Sequence, residues 1–119
     1  MQIQINSDHN LQGGEPLATS VRATVEDALS RFSAHITRVE VHLGDENAGK
    51  AGSNDKRCMM EARLQGLAPV AVTEHAPTVA QAIDGAAERL VHRLEHTLGR
   101  LQDLRRHAPQ PTLVEEPGE

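Results

Sequence analysis

A long amphipathic helix near the end of the chain most constrains how this sequence can fold. Between Thr78 and Arg106, apolar residues recur every three or four positions, the spacing that places them on one face of an α-helix. The residues on this face are Val79, Ile83, Ala86, Leu90, Leu94, Leu98 and Leu101. Thr78 followed by Gln81 fits a capping box at the start of the helix. Such a helix must pack against a hydrophobic surface, which the rest of the chain has to supply.

Four shorter segments can supply that surface because apolar and polar residues alternate in them, as in strands with one buried face. These segments are residues 1–6, 37–43, 56–65 and 70–74. Another amphipathic helix, entered at Pro16 and ending near Ser33, separates the first two segments. Residues 44–55 are rich in Gly, Asn, Asp and Ser, which indicates a loop between antiparallel strands. The order predicts an α+β two-layer sandwich of β-α-β-β-β-α topology, with two helices packed on one face of a four-stranded sheet.

Length and composition limit the class of protein. The 119 residues suit one domain, and the single Cys58 excludes an intramolecular disulfide. The chain lacks an apolar run of the roughly 20 residues that cross a bilayer, and its start does not resemble a signal peptide. We therefore expect a cytoplasmic protein with no membrane partner. Residues 1–106 are interpreted as a single domain, and residues 107–119 as a flexible acidic tail that contains proline.

The net charge of -5 argues by itself against a nucleic-acid-binding protein. However, three of the acids, Glu115, Glu116 and Glu119, lie in the tail, which has no Lys or Arg. Residues 1–106 carry all 12 basic residues and are close to neutral. The local arrangement of charge must therefore decide which partners the protein can bind.

The polar surface of the long helix is sorted by charge. Four residues line up beside the apolar face and form what we call the basic ridge: Arg89, Arg93, His96 and Arg100. The acids of the helix cluster on a different side. Arginines in a row suit phosphate binding because each guanidinium can donate two hydrogen bonds to phosphate oxygens. The alternative is a solvated helix face whose charges only keep the protein soluble.

Further arginines lie on the polar face of the predicted strands, at Arg38, Arg57 and Arg63, and could widen a phosphate-binding surface. Glu40 and Glu61 share that face. Ion pairing between neighbouring strands explains the mixture of charges equally well.

The run Ala82-Ile83-Asp84-Gly85, continued by Glu88-Arg89-Leu90, Leu94 and Leu101, resembles the second helix of one known family. This is the ribosome hibernation-promoting factor family, also called the ribosome-associated inhibitor or protein Y family, here of the short type. The order of elements over residues 1–106 is similar to that of the family, as is the segment from Arg31 to Leu43. The resemblance implies binding to the small ribosomal subunit and its ribosomal RNA, in the channel used by messenger and transfer RNAs. It also implies translation inhibition as part of a stress response.

The resemblance also implies which residues bind RNA, because positions on the second helix are commonly basic in the family. On the helix these are Arg89, His92, Arg93, His96 and Arg100, with Arg105 and Arg106 extending the same end. Arg38, Arg57 and Arg63 complete the predicted set. A protein-binding regulator on the same fold, with weakened RNA affinity, remains the alternative, consistent with the acidic balance.

One motif suggests chemistry, since residues 92–96 spell H-x-x-E-H, in which two His hold zinc and Glu acts as a base. No third ligand is evident in a structured segment, and the chain is short for a substrate cleft. We therefore expect no enzyme: no catalytic residue, metal, cofactor or small-molecule substrate. The free protein is expected to be a monomer.

Overall fold

The computed structural model describes residues 1–8, 14–45 and 55–107, with side chains up to residue 100. Its elements are β1 (Gln2–Ser7), α1 (Gly14–Leu29), β2 (Ile36–Asp45), β3 (Lys56–Leu64), β4 (Val70–Ala76) and α2 (Val79–His107). The predicted order of strand, helix, three strands and helix is confirmed. The tail residues beyond His107, most of the loop between β2 and β3, and the side chains of Leu101, Arg105 and Arg106 lie outside the described residues.

The four strands form one mixed sheet in the order β1-β2-β3-β4. β2 and β3 are antiparallel, as the intervening loop predicted, and β3 and β4 are antiparallel too. β1 runs parallel to β2, which requires a crossover connection that α1 supplies. α2 packs on β3 and β4, while α1 contacts β1 and α2. Both helices thus cover one face of the sheet, as predicted.

The hydrophobic core fills the space between the helices and the sheet. It is built from the apolar faces that the sequence pattern identified, including Val21, Val25 and Leu29 of α1, Val39, Val41 and Leu43 of β2, Cys58, Met60 and Ala62 of β3, and Ile83, Leu90 and Leu94 of α2. Burial on α2 weakens beyond Leu94, because Leu98 is only partly buried against this core. The helix is therefore anchored most firmly over its first half.

The ends of several elements differ from the sequence-based bounds. β2 and β4 extend to Asp45 and Ala76 because both residues pair with Lys56 of the intervening strand β3. The first helix is α-helical only to Leu29 and continues as a 3₁₀ turn through the buried Phe32. Within the described part of the chain, neither helix is long and apolar enough to cross a membrane.

The start of α2 carries one half of the predicted capping box, the bond from the Gln81 backbone to the Thr78 side chain, while the Gln81 side chain binds the Thr78 hydroxyl. The Thr78 hydroxyl accepts a hydrogen bond from the Gln81 backbone N–H at 3.1 Å and donates one to the Gln81 side-chain oxygen at 3.2 Å. The cap satisfies a backbone donor that has no partner within the helix. The cap fixes the start of α2 directly after the end of β4. The start of the helix in turn determines which of its polar residues lie beside the sheet.

Candidate nucleic-acid interface

The basic ridge is exposed along its length, with Arg89, Arg93, His96 and Arg100 all on the solvent side of α2. Its first half borders the sheet at β4, which is an edge strand of the described sheet. Arg89, His92 and Arg93 line a groove whose opposite wall is formed by residues 71–73 of β4. The ridge therefore lies where a long polyanion could approach both the helix and the edge of the sheet.

The members of the ridge differ in whether their charge is compensated. Arg93 and Arg100 form no ion pair with any residue whose side chain the structure describes, and the same holds for His92 and His96. Arg89 differs because its Nη1 lies 3.5 Å from Oε1 of Glu74 on β4. Sequence reasoning predicted the line of basic residues but not this partner.

Glu74 lies on the side of the sheet that faces the helices. The pairing of Met60 with Val72 and of Cys58 with Glu74 places Glu74 in a row with buried apolar residues. The side chain stays 29% exposed because β4 is an edge strand, and it extends past α2 to Arg89. A signal for it was present in the sequence, since Glu74 interrupts the apolar alternation of β4 at an inward position.

Room for the Glu74 side chain comes from Gly85, one helical turn before Arg89. A Cβ at position 85 would lie 2.8 Å from Cγ and 3.0 Å from Cδ of Glu74, closer than real Cβ atoms approach other groups. Gly85 belongs to the Ala82-Ile83-Asp84-Gly85 run that first suggested the family. In this protein, its lack of a side chain allows the acid and the arginine to meet.

The arginines of the strands lie on the opposite face of the sheet from α2, so the predicted RNA-binding set divides between two surfaces. On the outer face, the carboxylate of Glu40 lies close to three basic side chains. The nitrogen-to-oxygen distances are 2.5 Å from Nη2 of Arg38, 3.5 Å from Nε2 of His42 and 3.8 Å from Nε of Arg63. Arg63 also lies 3.9 Å from Glu61. Ion pairing thus occurs on this face, as the alternative interpretation proposed, and it compensates the charges of Arg38 and Arg63.

Arg57 is further along the same face, beside the ends of β1 and β2. Its Nη2 lies 3.2 Å from the position that a Cβ of Gly44 would occupy. It lines an open groove of mixed polarity with Asn6, Asp8 and His42. The acid in this groove makes it a weaker candidate for phosphate than the ridge.

The H-x-x-E-H motif does not form a separate site. Glu95, the acid of the motif, forms an ion pair with Arg31 in the 3₁₀ turn that follows α1, and the Arg31 guanidinium lies 4.5 Å from the centroid of the Phe32 ring. In the part of the chain that the structure describes, no group of three or more His, Cys, Asp or Glu could hold a metal ion.

Cys58 is a free thiol that is fully buried in the core. Burial raises its pKa from 9.0 to about 12, although the nearby Arg57 acts in the opposite direction. The thiolate that nucleophilic chemistry requires is therefore disfavoured at neutral pH. Cys58 acts here as a small hydrophobic residue.

Comparison with known proteins gives a family match over most of the chain. Residues 4–102 match the family model described as "Sigma 54 modulation protein / S30EA ribosomal protein". The N-terminal domain of Thermus thermophilus Protein Y is similar, with 25% identity, a TM-score of 0.59, and coverage of 82% of this chain and 99% of that one. A ribosomal subunit interface protein from Coxiella burnetii shares the fold, with 16% identity, a TM-score of 0.58, and coverage of 87% and 99%. No curated protein matches the sequence.

Proposed function

This chain belongs to the Sigma 54 modulation protein / S30EA ribosomal protein family, and on that basis we propose that it is a ribosome-associated translation inhibitor. It binds the small ribosomal subunit through ribosomal RNA, in the channel used by messenger and transfer RNAs. The match over residues 4–102 confirms the resemblance first inferred from residues 82–101. The similar structures support the proposal, since one is a Protein Y domain and the other a ribosomal subunit interface protein.

The exposed row of arginines on α2 is the observation that carries the RNA-binding part of the proposal. Arg89 and Arg93 are one turn apart, about 6 Å along the axis, and Arg100 lies about 10 Å further on. Such a row can contact several phosphates of one strand. Each contact releases condensed counterions, which gives affinity without any reading of base sequence.

Inhibition then follows from occupancy, without any chemical step. A protein held in the channel by phosphate contacts excludes messenger and transfer RNA because they need the same space. Binding of the protein should therefore compete with binding of these RNAs. If subunits loaded with messenger and transfer RNA bind the protein as well as empty subunits do, the channel assignment is wrong.

Charge reversal of the ridge tests the site. The variant with Arg89, Arg93 and Arg100 all changed to Glu should no longer co-sediment with purified small ribosomal subunits. Arg22→Glu, which reverses one charge on the exposed face of α1 away from the ridge, should still bind, whereas the single ridge variant Arg93→Glu, with the same change in net charge, should bind more weakly. Circular dichroism and thermal unfolding should show that every variant folds. Unchanged binding by the triple variant would exclude the ridge as the RNA-binding site.

A second candidate function is protein-binding regulation on the same fold. The observation that favours it is the compensation of basic groups by acids, of Arg89 by Glu74 and of Arg38 and Arg63 by Glu40. A net charge of -5 points the same way. The salt dependence of binding distinguishes this candidate from RNA binding.

A further inference from the structure

Glu74 is an acid in an unusual place, on the helix-facing side of the sheet and opposite the fully buried Cys58. A carboxylate in such a position requires either water or a basic partner. The structure gives it a basic partner, since its Oε1 lies 3.5 Å from Nη1 of Arg89. The first arginine of the ridge is therefore already in contact with an anion in the free protein.

Gly85 makes this contact possible. Glycine weakens a helix interior relative to alanine, so its presence within α2 calls for a structural reason. A Cβ at position 85 would approach Cγ of Glu74 to 2.8 Å, so the Glu74 side chain would have to shift from the position it occupies beside Arg89. Gly99, in the same helix, has nothing within 4 Å of the corresponding position. Of these two glycines, only Gly85 leaves space that another side chain, that of Glu74, occupies.

We propose that Glu74, held in place by the space at Gly85, is an internal competitor for phosphate at Arg89. The inference rests on the proposed function and adds a determinant of affinity to it. A phosphate that binds Arg89 must displace the carboxylate, because two anions at one guanidinium repel each other. Arg93 and Arg100, which lack such a partner among the described side chains, bind phosphate without this exchange. Glu74 thus lowers the affinity of the ridge for RNA.

The test measures the dissociation constant for purified small ribosomal subunits at one fixed salt concentration. Glu74→Gln keeps the shape of the side chain and should bind about twofold to fivefold more tightly, the range expected from breaking an exposed ion pair. Glu88→Gln is the matched control, because it removes the same charge from the acidic side of α2. It should give a smaller gain, since Glu88 forms no ion pair with the ridge.

Substitution of the glycines tests the position of the Glu74 carboxylate without a change in the net charge of the protein. Gly85→Ala leaves the net charge unchanged but displaces Glu74, so it should also tighten binding. Gly99→Ala makes the same chemical change in the same helix and should leave binding unchanged. In the Glu74→Gln background, Gly85→Ala should add nothing, because the side chain that it displaces no longer carries charge.

Each outcome is decisive for one of the two proposals. Wild-type protein that fails to bind small subunits would overturn the proposed function. Wild-type protein that binds, with Glu74→Gln no tighter than Glu88→Gln, would overturn the role of Glu74 and leave the proposed function standing. Thermal unfolding checks that every variant folds. Should Gly85→Ala fail to fold, the comparison of the two glutamine variants still decides the question.

Discussion

The salt dependence of ribosome binding offers a quantitative test, because the number of phosphate contacts sets its slope. Each phosphate contacted changes the logarithm of the binding constant by about -0.7 to -0.9 per decade of salt. Three contacts, at Arg89, Arg93 and Arg100, therefore predict a slope of about -2 to -3. Between about 50 and about 200 mM salt, the binding constant should fall roughly 20-fold to 40-fold.

Fluorescence anisotropy of the labelled protein, titrated with purified small subunits at several salt concentrations, measures this slope. Arg93→Gln should weaken binding and reduce the magnitude of the slope by about 0.7 to 0.9, since one phosphate contact is lost. Arg22→Gln, on the exposed face of α1, removes the same charge away from the ridge and should leave the slope unchanged. A slope near zero for the wild-type protein would refute RNA binding and favour a protein interface. A slope that Arg93→Gln does not alter would remove the ridge from the interface.

Two further predictions concern the fold that supports the ridge. Leu94→Ala, at a fully buried position of α2, should lower the free energy of unfolding in urea by about 2 to 5 kcal/mol, while Leu98→Ala, at a partly buried position, should cost clearly less. Equal losses of unfolding free energy in the two variants would contradict the decrease in burial along α2 beyond Leu94. Because burial raises the pKa of Cys58 from 9.0 to about 12, the unfolded chain loses this proton first, and stability should decline as pH rises through that interval. Cys58→Ala should lose less unfolding free energy between about pH 8 and about pH 10 than wild type does, and an identical loss would refute this account.

The fold could be predicted from the sequence because its elements have strong and separate periodicities. Alternation assigned Val39 and Val41, and likewise Met60 and Ala62, to the buried face, and all four are fully buried. The parallel pairing of β1 with β2 was not predicted. Alternation reports which face of a strand is buried but not which strand lies beside it, so strand order requires tertiary information.

The candidate site could be predicted only as a list of basic positions. Helical spacing placed Arg89, Arg93 and Arg100 on one line, because angular position follows directly from residue number. The contact between Glu74 and Arg89 depends on how α2 crosses β4, and the helical pattern contains no information on that crossing. The sequence shows Glu74 at an inward position of β4 and Gly85 within α2. Their contact, however, exists only once β4 and α2 pack together.

The parallel pairing of β1 with β2 also has a consequence for the order of folding. β2, β3 and β4 each pair with a neighbour in the sequence, so their pairing can proceed through short loops. β1 lies at the other edge of the sheet and, among the described strands, pairs only with β2, across the whole length of α1. During synthesis, β1 leaves the ribosome before residues 36–45 and must therefore wait for them before this pairing can form. We expect β1 to join the sheet late, after the crossover helix has formed.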